Sequence, residues 1–287
     1  TGDYIDASAL AIYGGGFGTD AVIKGNTQIN LTNNARVLFV FGGGEMGEVT
    51  GNTTVKLDNN LNFTTYQNAY KVYAGGYAGP VDGNTTLNLL GGSVMSAFAG
   101  ACNANIGGTT EVIIGAGTSG VPYVTHAVYG GNDFGGNIGV NNTSNLYTVK
   151  VSDDVTKNVR TQTYVKYVSG KIGRAIYGGS YGSYAYTNAI YGDLIGHTYP
   201  TIKATVSKQD GDSDDIILTN TFVDIASTSD SPEDVIGSDN SESVLTMLAG
   251  GGRGYKGLPD YVEVGQTYLL LHGASYAYRN NQLMAHR

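Results

Sequence analysis

Tyrosines crowd two loop-like stretches of the sequence and are the residues with the most suggestive chemistry. The first stretch contains Tyr181, Tyr184 and Tyr186, and the second contains Tyr276 and Tyr278. A tyrosine ring is rigid, with an apolar face and a polar hydroxyl, so exposed rings of this kind stack on sugars or on protein surfaces. We therefore predict that these residues bind carbohydrate or a protein partner, such as surface glycans or host or cell-surface proteins. The alternative is that the rings only fill the corners of a repeat.

Acidic residues at alternate positions mark one further loop. Asp210, Asp212 and Asp214 are followed directly by Asp215, and carboxylates with this spacing can surround a hard cation such as calcium. The loop lacks the spacing and the closing glutamate of an EF-hand, and a solvated hairpin tip explains it equally well. Calcium binding at residues 210–215 stays open, and the sequence predicts no other metal site and no cofactor.

The sequence shows no recognisable catalytic motif. Enzymes that cleave polysaccharides on parallel β-helices need paired carboxylates, or carboxylate-bound calcium with a basic residue. Acidic residues of the regular repeats include Asp20, Glu45, Glu48, Asp58, Asp82, Glu111 and Asp133. No two of them fall at matching positions of adjacent repeats, and no histidine motif accompanies them. We predict that the protein is not an enzyme, with a carbohydrate-active β-helix lyase or hydrolase as the alternative.

A repeated sequence element covers the first half of the chain, and the fold that it forms must position the candidate residues. Each copy has an apolar segment that ends in an aromatic residue, followed by a glycine-rich corner. The aromatic residues Tyr13, Phe41, Tyr73, Phe98 and Tyr129 are 28, 32, 25 and 31 positions apart. A period of about 20 to 50 residues is typical of solenoids and propellers, and these copies are shorter than the roughly 40 residues of a propeller blade. The period therefore favours turns of a parallel β-helix.

A Gly-Asn-Thr phrase follows the first three corners and precedes a strand of alternating polar and apolar residues, and the fourth copy is looser, with Gly108-Thr109-Thr110. The asparagines of this phrase are Asn26, Asn52 and Asn84. Equivalent positions of stacked parallel strands lie about 4.8 Å apart, so we expect these asparagines to form one ladder and Tyr13, Phe41 and Tyr73 to form another. The corner glycines are expected to supply positive φ angles or to allow close approach of the backbone.

Together these patterns predict an all-β fold, a right-handed parallel β-helix (β-solenoid) with loop insertions in the C-terminal half. We expect a single solenoid over residues 1–287, with regular coils over 1–140 and coils with longer inserted loops over 141–287, where the period stretches. The longest insertion, residues 227–243, is acidic and is predicted to be disordered or to protrude.

The composition excludes several kinds of partner. A net charge of −8 and a pI of about 4.8 argue against nucleic acids and anionic membranes, which require clustered Lys and Arg. The single cysteine, Cys102, excludes an intramolecular disulfide and is expected to be buried as a small apolar residue. No apolar run reaches the roughly 18 residues of a membrane span. The chain starts at Thr1 without a signal peptide, which suggests a segment of an exported precursor.

The Val/Ile-Tyr-Gly-Gly-Gly corner followed by Gly-Asn-Thr-Thr-Val-x-Leu resembles the repeats of large prokaryotic adhesin-like surface proteins, which fold as right-handed parallel β-helices. The resemblance covers residues 1–140 well and the remainder loosely, and no functional residue can be transferred from it. It implies an extracellular or cell-surface location and a structural or adhesive role. A receptor-binding protein similar to a phage fibre is a further alternative.

The ends of the predicted solenoid suggest a partner as well. No amphipathic helix that could cover open strand edges is evident at either end of the sequence, and uncovered edges pair with other chains. We therefore expect copies of the chain to join end to end into filaments, unless the segment belongs to a longer solenoid.

Overall fold

The computed structural model is all-β and describes residues 9–32, 35–59, 68–115, 120–141, 143–152, 154–182, 192–194, 216–226, 235–236, 247–253, 266–271, 278–279 and 282–283. The elements within these residues are twenty-four strands. None of the described residues belongs to a helix, and so none forms a helix that could cross a bilayer. Most of the strands belong to two sheets.

The first sheet has ten strands, and all of its pairings are parallel. Its strands are β1 (Ala9–Tyr13), β3 (Val37–Phe41), β5 (Ala69–Tyr73), β7 (Gly92–Phe98), β9 (Pro122–Val124), β10 (Ala127–Tyr129), β15 (Lys171–Ile172), β16 (Ala175–Tyr177), β20 (Val235–Ile236) and β21 (Met247–Ala249). The main path through the sheet runs in the order β1-β3-β5-β7-β10-β16-β21.

The second sheet has seven strands, which are likewise all parallel. Its strands, in spatial order, are β2 (Thr27–Thr32), β4 (Thr53–Asp58), β6 (Thr85–Leu89), β8 (Thr110–Ile114), β14 (Thr163–Tyr167), β19 (Thr221–Ile225) and β22 (Thr267–Leu271). Spatial order follows chain order along both sheets, because each repeat adds one strand to the second sheet and either one strand or, from β9 onward, two short strands to the first.

Shorter pairings complete the architecture. Isolated parallel bridges form a third line from Ile23 through Val49, Val81 and Ile106 to Ile138. The remaining strands are β11 (Gly136–Ile138) paired with β17 (Gly192–Leu194), β12 (Asn145–Ser152) with β13 (Val155–Thr161) and β18 (Ile216–Leu218), and β23 (Tyr278–Arg279) with β24 (Gln282–Leu283). The predicted all-β fold with stacked parallel strands is confirmed, and this topology is compatible with a parallel β-helix.

The core lies between the two main sheets. Side chains of β4 alternate between buried and half-buried positions, as expected for a strand with one face toward an apolar interior. Val55 and Leu57 of the second sheet belong to the same apolar cluster as Val40 and Val72 of the first. One continuous core therefore runs through the repeats.

Buried threonine hydroxyls tie the two sheets together. In six of the seven strands of the second sheet, β2 to β19, the first threonine donates its Oγ1 hydrogen to a carbonyl oxygen at the corner after a first-sheet strand, for example Thr53 to Ala74 at 2.5 Å and Thr163 to Gly178 at 2.6 Å. A buried hydroxyl without such a partner would be costly. The threonine of the Gly-Asn-Thr phrase is thus a structural requirement.

The predicted asparagine ladder is confirmed. The Oδ1 atom of Asn26 accepts a hydrogen bond from the backbone N–H of Asn52 at 2.8 Å, and Asn52 Oδ1 accepts one from Asn84 at the same distance. The preceding glycine makes room for this contact, since a β-carbon on Gly83 would lie 2.5 Å from Asn52 Oδ1. Close approach, and not a positive φ angle, explains the glycines before Asn52 and Asn84, which are Gly51 and Gly83.

The antiparallel hairpin of β12 and β13 lies between β11 and β14 in the chain and packs on the outer face of the second sheet. Val149 and Val159 of the hairpin form an apolar cluster with Tyr164 and Phe222 of that sheet. Strand β13 also pairs with β18 in parallel. The boundary proposed near residue 140 coincides with the chain position just before this hairpin, while the division of the chain into two parts stays a prediction.

Charges placed in the core should unfold the protein. Val55 and Leu87 are both 0% exposed and face each other in the register of β4 and β6. We expect Val55→Asp and Leu87→Asp each to lower the free energy of unfolding by at least about 3 kcal/mol, because an unpaired carboxylate enters an apolar interior. Denaturant melts would measure this loss. Asn88→Asp, on the opposite face of β6, is the matched control and should melt like the wild type; equal melting of all three variants would contradict the described core.

Candidate functional site

The aromatic residues that end the first-sheet strands form one continuous stack. Neighbouring ring centroids are 4.8 to 5.0 Å apart and the interplanar angles are at most 13°. The stack, here called the aromatic ladder, consists of Tyr13, Phe41, Tyr73, Phe98, Tyr129 and Tyr177. The preceding residues, such as Val40 and Val72, belong to the interior core, so strand alternation places the rings on the outer face of the sheet. The predicted aromatic ladder is confirmed.

The corner after each ladder strand contributes one residue to a second row. From Glu45 onward, the backbone N–H of each row member donates to the carbonyl oxygen of the residue just before the row member of the preceding repeat. Cys102 donates to Gly76 in this way, and Asp133 donates to Ala101. This row, here called the corner column, consists of Phe17, Glu45, Tyr77, Cys102, Asp133, Tyr181 and Arg253. Its residue types differ from repeat to repeat. The column therefore gathers varied chemistry along one edge of an otherwise regular sheet.

Asp133 is the centre of a buried polar cluster in the corner column. Its side chain is 0% exposed, and its Oδ2 atom accepts hydrogen bonds from Lys71 Nζ at 2.7 Å and from Tyr73 Oη at 2.6 Å. Both donors belong to β5, two repeats before Asp133 along the sheet. Cys102, which occupies the corner of the intervening repeat, has a small side chain. A carboxylate buried this deeply requires such partners.

The phenol and the thiol of this cluster are held in their protonated forms. Burial, together with the negative charge of Asp133, raises the pKa of Tyr73 well above its usual value. The same two causes raise the pKa of the Cys102 thiol to about 12. At neutral pH both groups are therefore hydrogen-bond donors and poor nucleophiles. The prediction that Cys102 is buried, at 3% exposed, is confirmed.

Basic side chains collect beside the later rings of the aromatic ladder. Burial lowers the pKa of His126, and the positive charges of Arg174, Arg253 and Lys71 lower it further. The backbone N–H of Arg174 also donates to the carbonyl oxygen of His126 at 2.8 Å. The guanidinium of Arg253 also lies 5.0 Å from the centroid of the Tyr181 ring. We call His126, Arg174 and Arg253 the basic patch, since the ammonium of Lys71 is paired with Asp133. It stands out in a chain of net charge −8.

A second polar cluster lies on the outer face of the second sheet. Tyr164 Oη donates to Asp224 Oδ2 at 2.8 Å, and the Tyr147 ring of the hairpin lies 3.9 Å from the ring of Tyr164. Burial raises the pKa of Glu111, and a hydrogen bond from Tyr147 and the charge of Lys166 oppose this rise. Since the hairpin packs over these groups, the cluster joins the hairpin to the sheet.

The structure describes part of the predicted binding set. Tyr181 lies in the corner column, half-buried, with its ring 5.1 Å from that of Tyr129. Tyr278 lies on β23. Tyr184, Tyr186 and Tyr276 lie outside the described residues, as do the acidic loop at 210–215 and nearly all of the insertion at 227–243. Binding by the tyrosines therefore stays a prediction.

Neither the basic patch nor the Asp133 cluster was predicted from the sequence, although a sequence signal for the corner column exists. Each column residue lies four positions after the residue that ends its first-sheet strand, as in Tyr129 and Asp133 or Ala249 and Arg253. The side chain of Lys71 offers no comparable signal, because its partner is 62 positions away. In the part of the chain that the structure describes, no three His, Cys, Asp or Glu side chains are grouped so as to hold a metal ion.

Comparison of the chain with protein-family models, curated proteins and solved structures finds no match. The resemblance to adhesin-like repeats therefore stays a prediction from the repeat itself. Any function must be argued from the aromatic ladder, the corner column and the basic patch.

Cys102 should resist alkylation in the folded protein. Its thiol is buried, and a pKa of about 12 leaves little of the reactive thiolate at pH 8. We expect iodoacetamide to label the native protein at least about a hundredfold more slowly than the urea-unfolded chain, since only the unfolded chain exposes a thiol of ordinary pKa. Mass spectrometry of timed samples would follow the labelling. Equal rates in the two states would contradict the described burial.

Proposed function

We propose that the chain is wound as a right-handed parallel β-helix and serves as a non-enzymatic structural or adhesive element at a cell surface or outside the cell. Successive strands alternate between two parallel sheets, and the line of isolated bridges adds a third face to each repeat. Crossovers between parallel strands of one sheet are right-handed in nearly all proteins. Such a scaffold presents long, regular faces on which binding residues can be displayed.

The observation that carries the adhesive role is the pairing of Arg253 with the ring of Tyr181, beside an aromatic ladder whose rings from Phe41 to Tyr177 are at most 6% exposed. Arg253 is exposed and lies over the half-buried ring of Tyr181, and that ring in turn packs on Tyr129. Aromatic rings stack on the apolar faces of sugars, whereas a guanidinium binds carboxylate or sulfate groups through paired hydrogen bonds. This face therefore fits an anionic glycan better than a neutral one.

The same surface is a poor arrangement for hydrolysis. The carboxylate of Asp133 is 0% exposed and is engaged by Lys71 and Tyr73, whereas glycoside hydrolysis needs two carboxyl groups that flank an accessible sugar. We accordingly assign binding without cleavage to this face.

Loss of the aromatic and cationic groups should weaken binding to an anionic polysaccharide. We expect Tyr181→Ala combined with Arg253→Ala to raise the Kd for a polyuronate at least about tenfold, since each contact of this type contributes on the order of 1 kcal/mol. Tyr70→Ala combined with Lys24→Ala removes one exposed tyrosine and one exposed lysine elsewhere and should leave the Kd unchanged. Affinity electrophoresis with polyuronate and with a neutral glucan would measure both.

Two outcomes of that experiment would count against the proposal. Equal retardation by the neutral glucan would remove the role of the basic patch. Release of oligosaccharides during the incubation, with or without calcium, would show an enzyme instead, above all if a single Asp→Asn change abolished it.

The ends of the stack support association with a second copy. Within the described residues, β1 and β2 have partner strands on one side only, and so do β21 and β22. Leu10 on β1 is 70% exposed and Leu271 on β22 is 50% exposed. Open parallel edges at the two ends have the same strand spacing and direction, so the last repeat of one copy can pair with the first repeat of the next. Such contacts do not close and produce filaments.

Light scattering at rising protein concentration would test end-to-end joining. We expect the apparent mass of the wild type to increase with concentration and that of Leu10→Lys to increase less, because a charged edge residue hinders strand pairing. Leu146→Lys is the matched control, since Leu146 is 48% exposed but lies on the hairpin strand β12; it should behave like the wild type. A wild type that is monomeric at every concentration would exclude the filament.

A further inference from the structure

Lys71 and Asp133 form a contact between distant parts of the chain. Lys71 lies on β5, Asp133 lies at the corner after β10, and β7 separates these two strands in the sheet. Nevertheless Lys71 Nζ is 2.7 Å from Asp133 Oδ2. The pair therefore spans three neighbouring strands of the first sheet.

The surroundings of this pair differ from those of an ordinary surface ion pair. The Asp133 side chain is 0% exposed and that of Lys71 is 17% exposed, and the rings of Phe98 and Phe134 lie 5.6 and 5.5 Å from the lysine Nζ. Tyr73 Oη donates to the same carboxylate oxygen at 2.6 Å. An amine, a carboxyl group and a hydrogen-bond donor are thus held together in largely apolar surroundings.

We propose that Lys71 and Asp133 condense into an intramolecular amide bond between Lys71 Nζ and Asp133 Cγ. The carboxyl carbon is one bond away from the oxygen that Lys71 already contacts at 2.7 Å. Reacting groups held at contact distance in a fixed orientation react far faster than free groups in solution. No further reactant is required, because an ammonium and a carboxylate together contain the atoms of one amide and one water.

The atoms balance as follows. One proton moves from the Lys71 ammonium to the Asp133 carboxylate across their 2.7 Å contact. The amine then forms the new C–N bond at Cγ. A second amine proton moves to the departing hydroxyl, the C–O bond breaks, and water leaves. The hydrogen bond from Tyr73 to Oδ2 stabilises the negative charge that develops on that oxygen in the tetrahedral intermediate.

The second ion pair among the described residues offers an internal comparison. Lys56 Nζ and Asp58 Oδ2 are also 2.7 Å apart, but their side chains are 38% and 17% exposed. They lie two positions apart on β4, where water solvates the ammonium. We expect this pair to remain ionic, so that only the buried pair is converted.

The amide would act as a clamp across the sheet. It would close a covalent loop between positions 71 and 133, and a cross-link of this kind removes conformational freedom from the unfolded chain. It would resist reducing agents, unlike a disulfide. The inference does not depend on the proposed adhesive role, because it rests on the geometry of the pair alone.

Intact-mass measurement of the folded protein decides the question directly. We expect the wild type to weigh about 18 Da less than its sequence mass, the mass of one water lost on amide formation. Tryptic digestion should then yield a branched peptide that joins Lys71 to Asp133, with no cleavage after Lys71 and normal cleavage after Lys56. A full sequence mass together with a linear peptide ending at Lys71 would overturn the proposal, whatever the behaviour of any variant.

Variants assign the roles within the site. Lys71→Arg and Asp133→Ala should each show their full sequence mass, because the first variant lacks the amine and the second lacks the carboxyl group that would form the amide. Tyr73→Phe keeps the ring in the aromatic ladder but removes the hydrogen bond to Oδ2, and we expect the mass loss to develop at least about tenfold more slowly after refolding. Mass loss at an unchanged rate in Tyr73→Phe would exclude the assigned role of the hydroxyl, and mass loss in Lys71→Arg would exclude the site itself.

Discussion

Parallel in-register pairing of successive repeats is the constraint on which the rest of this structure depends. Each residue of a strand lies beside the equivalent residue of the next repeat, as Val55 lies beside Leu87 and Phe41 beside Tyr73. A residue type at a given position must therefore pack well against the residues at the same position of the neighbouring repeats. This requirement explains the aromatic ladder, the asparagine ladder and the threonine hydrogen bonds, which are three solutions to the same stacking problem.

Stacking of the repeats restricts the residue type at some positions of each repeat and leaves it free to vary at others. Side chains that face the core are packed from both sheets, and the Gly-Asn-Thr phrase satisfies buried backbone groups, so both are narrowly restricted. The corner column has no such restriction, because the hydrogen bonds that run along it are made by the backbone. The regular ladder thus provides a rigid base, and the irregular column beside it holds the residues that differ.

Burial of charge at Asp133 is the most costly feature of that column. A buried carboxylate is tolerated only with close partners, and here Lys71 and Tyr73 come from a strand two repeats away. The buried pair of Lys71 and Asp133 connects the proposed adhesive role with the proposed amide bond. An adhesive scaffold must transmit force through its sheets, and a covalent clamp between β5 and the corner after β10 would hold three of those strands together.

The sequence by itself determined the repeated part of this protein. The spacing of Tyr13, Phe41 and Tyr73 and the recurrence of the Gly-Asn-Thr phrase were sufficient to predict parallel stacking and two of the ladders, because equivalent residues of a regular stack must meet. Only the tertiary structure decided which residues from non-equivalent positions of different repeats come into contact. Lys71 and Asp133 are 62 positions apart, and the basic patch likewise draws its side chains from several repeats. Such contacts depend on corner geometry and on the reach of individual side chains, which no periodic pattern encodes.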